Sequence, residues 1–194
     1  MGYNCLIKTR GSLYRMKVNY RQILAVVLIA VGVFFLLQST IQSFVVMGSS
    51  MTPSYQDGQR LLVNKVFYRI GEPEMGDVIV FQPPISRSVD YIKRIIAEPG
   101  DTVEIKDGTV YVNSVPIHEP YIKAHPSYTM SQRTIPENEY FVLGDNRNNS
   151  NDSHNGWNVD RDSIVGKVWL SIWPPGLTPE YNLEEQLASA ESLR

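Results

Sequence analysis

The chain has 194 residues and a formal net charge of −2, from 18 Lys and Arg residues against 20 Asp and Glu residues. Five of the basic residues precede residue 22 with no acidic residue among them, which leaves the remainder with 13 basic against 20 acidic residues, a net charge of −7. That balance excludes an electrostatic basis for binding nucleic acid. The single cysteine, Cys5, leaves the rest of the chain without disulfides, thiolate zinc sites or a cysteine nucleophile, and no cofactor or metal is expected.

An apolar stretch follows the basic N-terminus. Residues 23–37 are apolar apart from Gly32, and uncharged residues continue to residue 46. The uncharged stretch is long enough for a membrane-spanning helix, which requires about 20 residues. No Ala-x-Ala-like site follows, so the pattern favours an uncleaved transmembrane anchor over residues 22–43 rather than a cleavable signal peptide. By the positive-inside rule, residues 1–21 are expected in the cytoplasm and the rest of the chain outside it.

Beyond the anchor, short runs of β-branched and aromatic residues alternate with turn residues. Asp107-Gly108 is typical of a tight hairpin. The sequence predicts a mostly β exported domain over residues 44–176, in which residues 98–138 are an inserted hairpin or small subdomain, and a polar tail over residues 177–194. The predicted strands are residues 60–66, 77–82, 91–97, 102–106, 109–113, 140–143 and 164–173.

Two adjacent serines lie directly after the apolar stretch, within residues 44–53. A serine hydroxyl needs a neighbouring base before it can attack a carbonyl. Histidine is one candidate, because His154 lies in a polar run between Gly144 and Gly156. One hypothesis is therefore a triad of Ser50, His154 and either Asp145 or Asp152.

Lysine is the other candidate base. An unperturbed lysine pKa near 10.4 leaves roughly one side chain in a few thousand neutral at pH 7, so a lysine base must be buried. Among the lysines after the anchor, Lys93 has the most apolar neighbours. Strand alternation puts Lys93 and Arg94 on opposite faces and does not decide which face is buried. A surface Lys93 on an edge strand is the alternative.

Several motifs occur in the order found in type I signal peptidases, and the chain resembles that family. They are Ser50-Met51-Thr52-Pro53, Tyr91-Ile92-Lys93-Arg94, Pro99-Gly100-Asp101, and Gly144-Asp145-Asn146-Arg147 followed by Asn149-Ser150-x-Asp152-Ser153. The last motif is most similar to plastid and cyanobacterial members. The resemblance implies a β fold of antiparallel sheets with one N-terminal transmembrane helix. It also implies a Ser/Lys endopeptidase that removes signal peptides from exported preproteins after small residues, of the Ala-x-Ala type.

The resemblance further implies roles for individual residues. Ser50 is the implied nucleophile, Lys93 the general base, and Ser150 the residue that orients the lysine amine. The oxyanion hole is expected from the backbone N–H of Ser50 and a second donor at Gly48. Ion pairs are expected to brace the loop that carries Ser150, and the residues that form them are Asp145, Arg147 and Asp152.

Substrate recognition is expected by strand addition, in which an extended peptide pairs with strands on either side of the nucleophile. Pockets for small side chains and the walls of this groove are expected from Phe44, Val46, Met51, Asp90 and Ile92. The expected partners are signal peptides of exported preproteins and membrane lipid. The resemblance places the protein in a plasma, inner or thylakoid membrane, with its catalytic domain on the extracytoplasmic side.

Other readings of the same features differ in class. Self-cleaving SOS-type repressor peptidases share the Ser-Met and strand-lysine pairing, but they are soluble and carry DNA-binding domains. A membrane-tethered β domain that binds a partner without catalysis is a second alternative, and a hydrolase that uses His154 is a third. A calcium loop over residues 145–152 is disfavoured, because Arg147 occupies the third position and the sixth lacks glycine.

Overall fold

The computed structural model describes residues 4–9, 12–17, 19–86 and 88–177, together with residues 181, 183, 185, 187 and 188. For residues 4–9, 12–17, 36, 37, 39 and 177 it describes the backbone alone. The chain divides into two compact units, Met1–Thr40 and Ile41–Arg194.

The N-terminal unit contains a hairpin and one long helix. Strand β1 (Asn4–Thr9) pairs antiparallel with β2 (Ser12–Lys17), and helix α1 covers Tyr20–Thr40. The helix is rich in apolar residues, many of which are exposed, as in Leu24 at 56% and Phe35 at 66%. Within the part of the chain that the structure describes, no helix reaches the combination of length and apolarity needed to cross a bilayer.

Helix α1 ends before the predicted anchor does. Residues 41–43, predicted as the end of the anchor, instead belong to strand β3 (Ile41–Val45). The reason is that a partner strand is available. Strand β3 pairs antiparallel with β4 (Arg60–Asn64), and the pairing satisfies backbone N–H and C=O groups that the helix would otherwise bond internally.

The C-terminal unit is mostly β, as predicted. A short helix, α2 (Phe67–Ile70), follows β4. The remaining strands are β5 (Val78–Phe81), β6 (Tyr91–Ala97), β7 (Thr102–Lys106), β8 (Thr109–Val112), β9 (Val115–Pro116), β10 (Met130–Thr134), β11 (Glu139–Leu143), β12 (Val159–Asp160), β13 (Ile164–Trp173) and β14 (Gly176–Leu177). The larger sheet has the order β12, β11, β6, β5, β13, β4, β3, with β14 on β13, and the smaller has the order β10, β7, β8, β9.

Each predicted strand is present, with its ends shifted by two residues at most. The Asp107-Gly108 hairpin is confirmed, because β7 pairs with β8 and the two residues have φ angles of 50° and 74°, as a hairpin turn of this kind requires. The smaller sheet is built within residues 98–138, the predicted insertion. The two sheets pair their strands antiparallel, which is the predicted arrangement.

Strand β6 lies inside the larger sheet, between β5 and β11. Every residue of β6 after Tyr91 is buried, so both faces of the strand are covered. An edge-strand position for Lys93 was therefore wrong. Alternation did not reveal which face is buried because neither face is exposed.

The tail contributes to the core. Leu183 is fully buried and packs in the same cluster as Ile96, Ile105 and Phe141. Gly76, at φ +98°, makes this possible, because a Cβ there would lie 2.1 Å from the carbonyl oxygen of Tyr181. The prediction of a polar tail did not anticipate this packing.

Candidate active site

The serine loop, residues 46–53, follows β3. The Val46 N–H donates to the Gln59 carbonyl and the Val46 carbonyl accepts from the Gly58 N–H, both at 2.9 Å, and these bonds fix the start of the loop. Gly48 adopts φ +89°, and its N–H donates to Asp57 Oδ1 at 2.7 Å. The Met51 side chain is fully buried, so the loop is anchored on both sides of Ser50.

Ser50 and Lys93 are in direct contact. Lys93 Nζ donates to Ser50 Oγ at 2.7 Å and to the carbonyl oxygen of Ile92 at 2.8 Å. Neither acceptor carries a charge, and Lys93 is only 4% exposed. A base in this position lies within the distance required for proton transfer from the serine hydroxyl.

Burial lowers the pKa of Lys93 to about 8, although the nearby charges of Asp152 and Asp145 act in the opposite direction. With a pKa near 8, about a tenth of such lysines are neutral at pH 7, against roughly one in a few thousand for an exposed lysine. An appreciable fraction of Lys93 is therefore uncharged near neutral pH.

The Gly144 loop, residues 144–154, is hydrogen-bonded to the serine loop. The backbone N–H of Asn146 donates to the Ser50 carbonyl at 2.9 Å, and the Asn146 side chain donates to the Ser49 carbonyl at 3.0 Å. Asn149 Nδ2 donates to Ser49 Oγ at 2.9 Å. The sequence motif contains both asparagines but gave them no role.

Gly144 is the point of closest approach between the two loops. A Cβ at this position would lie 2.5 Å from the Ser50 carbonyl oxygen and 2.3 Å from Ser150 Oγ. Real Cβ atoms do not come that close to backbone, so only glycine fits here.

Asp145 and Arg147 form buried ion pairs, and both pairs reach outside the Gly144 loop. Asp145 accepts both hydrogen bonds of a bidentate pair with Arg94 of β6, at 3.0 and 2.8 Å. Arg147 forms a bidentate pair with Glu119, which lies after β9. Glu119 was not predicted as a site residue, because it lies 28 residues from Arg147 in an irregular segment.

Asp152 pairs with His154 within the loop. Asp152 Oδ1 lies 2.6 Å from His154 Nδ1, and Oδ2 accepts from the Gly144 N–H at 2.9 Å. The His154 ring stacks on Tyr128 at 4.1 Å between centroids. The Asp152–His154 contact is one that the triad hypothesis requires, but Ser50 Oγ is bonded to Lys93 Nζ, and no hydrogen bond joins it to His154 among the described residues. The triad through His154 is therefore not assembled in this part of the chain.

The expected hydrogen bond from Ser150 to Lys93 is also not formed. Ser150 Oγ is buried and has no hydrogen-bond partner within the described part of the chain. The lysine amine is directed instead at Ser50 Oγ and the Ile92 carbonyl. The expected oxyanion donor at Gly48 was wrong for this arrangement, because its N–H is already bonded to Asp57.

A cleft of about 430 Å³ opens beside the Ser50–Lys93 pair. It is lined by Phe44, Val45, Met47, Ser50, Val89, Asp90, Tyr91, Ile92, Lys93 and Asn151. Three of the expected groove residues, Phe44, Asp90 and Ile92, are among them.

The other two expected groove residues, Val46 and Met51, are not in the cleft. They pack into a core cluster with Tyr55 and are 2% and 0% exposed. Along this extended segment, side chains alternate between core and solvent, so Val45 and Met47 face outward where Val46 faces inward. A one-residue change of face explains the error at Val46, whereas Met51 lies in the turn after Ser50.

No group of three or more His, Cys, Asp and Glu side chains is arranged to hold a metal ion in the described ranges. The site is therefore an amine, a hydroxyl and a cleft, supported by buried ion pairs. Such a set of groups suits nucleophilic attack on a carbonyl.

Comparison with known proteins identifies similarity to one family. The family model described as signal peptidase, peptidase S26, matches residues 19–173. A probable signal peptidase I-2 of Synechocystis sp. is 42% identical over 131 residues, which cover 65% of this chain and 60% of that protein. Signal peptidase IB of Staphylococcus aureus (strain COL) is 39% identical over 167 residues, covering 77% of this chain and 84% of that protein.

A solved signal peptidase I from Enterococcus faecalis V583 is 32% identical, with a TM-score of 0.46, and the match covers 50% of this chain and 97% of the other. The chain spans less than two thirds of the length of the Synechocystis relative.

Proposed function

The chain belongs to the signal peptidase family, peptidase S26, and we propose that it is a serine endopeptidase that removes N-terminal signal peptides from exported preproteins. The observation that carries the proposal is the 2.7 Å hydrogen bond between Lys93 Nζ and Ser50 Oγ at the edge of a cleft. A hydroxyl joined to a buried amine is the pairing that a Ser/Lys mechanism requires.

In this mechanism, Ser50 Oγ attacks the carbonyl carbon of the scissile peptide bond while its proton passes to the neutral Lys93 amine. The tetrahedral intermediate collapses, the C–N bond breaks, and the proton on Lys93 moves to the departing amine. Water then attacks the acyl-serine ester while Lys93 takes its proton. The ester C–O bond breaks, the signal peptide leaves as a carboxylic acid, and Lys93 returns the proton to Ser50 Oγ. The backbone N–H of Ser50 is the proposed donor to the oxyanion.

The buried ion pairs are proposed to hold this geometry. Asp145, Arg147 and Asp152 fix the Gly144 loop through Arg94, Glu119 and the Gly144 N–H respectively. Ser150, whose hydroxyl is buried beside Gly144, is proposed to become a partner of the amine when Ser50 is acylated. At that stage the ester oxygen no longer offers a proton to the lysine.

Substrate binding is proposed to use the strand edges at the cleft. Strand β11 pairs with β6 only from Arg94 onward, so the backbone of β6 near Ile92 has a side open to an added strand. Strand β3 is the edge strand of the sheet and brings Phe44 to the cleft. An extended peptide between them would present alternate side chains to small pockets, which favours Ala at the first and third positions before the cut.

Membrane attachment is proposed through residues 22–40 of helix α1, with residues 1–21 cytoplasmic and the catalytic unit outside. The proposal is supported by the exposed apolar side chains of α1 and by the basic residues that precede it. Extraction at alkaline pH separates integral from peripheral proteins. The full chain should remain with the membrane, and its appearance in the soluble fraction would contradict the proposal.

Cleavage of a synthetic signal peptide in detergent tests the function. The wild type should cut an Ala-x-Ala peptide once, and both Ser50→Ala and Lys93→Ala should abolish the cut. His154→Ala should retain most activity, and its complete loss with Lys93→Ala still active would favour the histidine hypothesis. Cleavage by none of these proteins, with tight peptide binding by all, would favour a non-catalytic binding domain.

The same assay tests the specificity. Replacing the Ala at the first or third position before the cut with Phe should lower kcat/KM by roughly tenfold or more, because a large ring does not fit a methyl-sized pocket. A Phe placed at the second position, between them, is the matched control and should be tolerated. Equal cleavage of all peptides would contradict the strand-addition proposal.

A further inference from the structure

We propose that Glu119 is a positioning residue for the Ser50–Lys93 pair and acts on it through Arg147. The inference rests on the proposed function. Glu119 lies in residues 118–136, here called the bracing segment, which belongs to the predicted insertion and for which sequence reasoning gave no role.

The Glu119–Arg147 pair is almost completely buried. The Arg147 side chain is 0% exposed and that of Glu119 5%, and both terminal nitrogens of the Arg147 guanidinium bond the carboxylate. Burial works to lower the pKa of Arg147, but the charge and hydrogen bonds of Glu119 outweigh it and raise the pKa overall. A cation held this way needs its carboxylate, because an unpaired buried charge is strongly unfavourable.

Arg147 connects this pair to the peptide that contacts Ser50. Its Nε donates to the Gly144 carbonyl oxygen at 3.2 Å, while the Gly144 N–H donates to Asp152 at 2.9 Å. The Gly144 residue is thus held at both its N–H and its C=O. Its Cα faces the Ser50 carbonyl, so a shift of Gly144 changes the position of Ser50 relative to Lys93.

Further bonds join the bracing segment to the Gly144 loop. The Lys123 N–H donates to the Asp145 carbonyl at 3.0 Å, and Ser127 donates through both its N–H and its Oγ to Asn148 Oδ1 at 2.8 Å. Asn148 Nδ2 returns a bond to the His125 carbonyl at 2.9 Å. The segment therefore follows the outer side of the loop, and Glu119 supplies a charged contact within it.

The test compares Glu119→Gln, Arg147→Met and the double variant in the full chain, with an Ala-x-Ala signal peptide as substrate. Glu119→Gln should lower kcat roughly ten- to a hundredfold through misplacement of Ser50, with KM within about twofold, because the cleft residues are untouched. The double variant should be no worse than the poorer single variant, since both changes break one connection. Glu137→Gln, at an exposed carboxylate directly after the bracing segment, is the control and should match the wild type.

Thermal unfolding of each variant separates positioning from stability. An unchanged kcat for Glu119→Gln at a temperature where it is fully folded, with only a lower Tm, would overturn the proposal, and so would additive losses in the double variant. If Glu119→Gln does not fold, Glu119→Asp keeps the charge but shortens the reach, and a wild-type kcat for it would equally overturn the proposal. A wild type that does not cleave the peptide, or a Ser50→Ala variant that does, would count against the proposed function instead.

Discussion

Strand β6 carries two adjacent buried cations in opposite environments. Lys93 and Arg94 are 4% and 0% exposed. Arg94 bonds both oxygens of Asp145 and the Gly76 carbonyl, and its guanidinium lies 4.1 Å from the centre of the Tyr121 ring. Lys93 bonds a hydroxyl and a carbonyl, neither of which is charged.

The difference shows that burial alone does not decide the charge of a cation. Burial works to lower the pKa of Arg94, but the charge and hydrogen bonds of Asp145 raise it overall. For Lys93, burial is the larger effect and the pKa falls to about 8, because the carboxylates of Asp152 and Asp145 act on it only at a distance. One face of the strand thus holds a permanent charge for structure, and the other holds a group able to give up its proton.

The largest expected effect comes from making the two cations alike. Lys93→Arg keeps the positive charge but removes the possibility of deprotonation, so cleavage of a signal peptide should fall at least about a thousandfold. Lys106→Arg, at an exposed lysine paired with Glu104, is the matched control and should be fully active. Appreciable activity in Lys93→Arg would show that Lys93 is not the base.

Removing Asp145, the carboxylate partner of Arg94, should affect stability most. Asp145→Asn leaves Arg94 buried without a counter-charge and should lower the free energy of unfolding by about 3–5 kcal/mol, measured by urea denaturation. Glu104→Gln breaks an exposed pair and should change it by less than about 1 kcal/mol. Similar small changes in both would mean that the buried pair contributes no more than a surface pair.

Lys93→Met should change the free energy of unfolding in the opposite direction. It should stabilise the protein while abolishing cleavage. The pKa of Lys93 is lowered from 10.5 to about 8 on folding, so the unfolded chain binds the proton more tightly and protonation opposes folding. At pH 7 the substitution should add up to about 3 kcal/mol to the free energy of unfolding.

The stability of the wild type gives the matching pH test. Stability should rise between pH 8 and pH 10.5, where the unfolded chain still binds the proton that the folded chain has lost. Lys93→Met should lack that rise. A destabilised Lys93→Met, or the same rise in both proteins, would contradict the lowered pKa.

The smallest effect is on the pH profile of the wild type. Because only the neutral amine accepts a proton, kcat/KM should increase about tenfold per pH unit below a pH of about 8 and level off above it. His154→Gln should keep the same midpoint if Lys93 is the titrating base. A midpoint that moves or disappears in this variant would make His154 part of the titration.

Sequence reasoning located the strands and the ordered motifs because both are local. The Asp107-Gly108 hairpin needs no information beyond the turn, and Ser50 and Lys93 were found from their motifs. Period-two alternation failed for β6, since a central strand of a covered sheet buries both faces and its sequence carries no polar side to recognise.

The rest of the site depends on contacts between distant segments. Glu119 and Leu183 come from irregular or polar stretches, and only the assembled core shows that one is paired with Arg147 and the other is buried. The error at Val46 arose because a one-residue shift of face along a short extended segment moves a side chain from cleft to core, whereas Met51 lies in the turn that follows and is buried there with Tyr55. The Gly48 amide was misjudged because its acceptor, Asp57, belongs to the following turn.

The absence of a side chain at Gly144 has a mechanical consequence. Because the serine loop and the Gly144 loop meet over a space smaller than one methyl group, neither loop can slide along the other without a collision between backbone atoms. The Ser50 carbonyl therefore cannot move toward Gly144, which limits how far the serine loop can shift relative to the Gly144 loop. No side chain larger than a hydrogen atom fits at residue 144, and even Gly144→Ala forces the two loops apart.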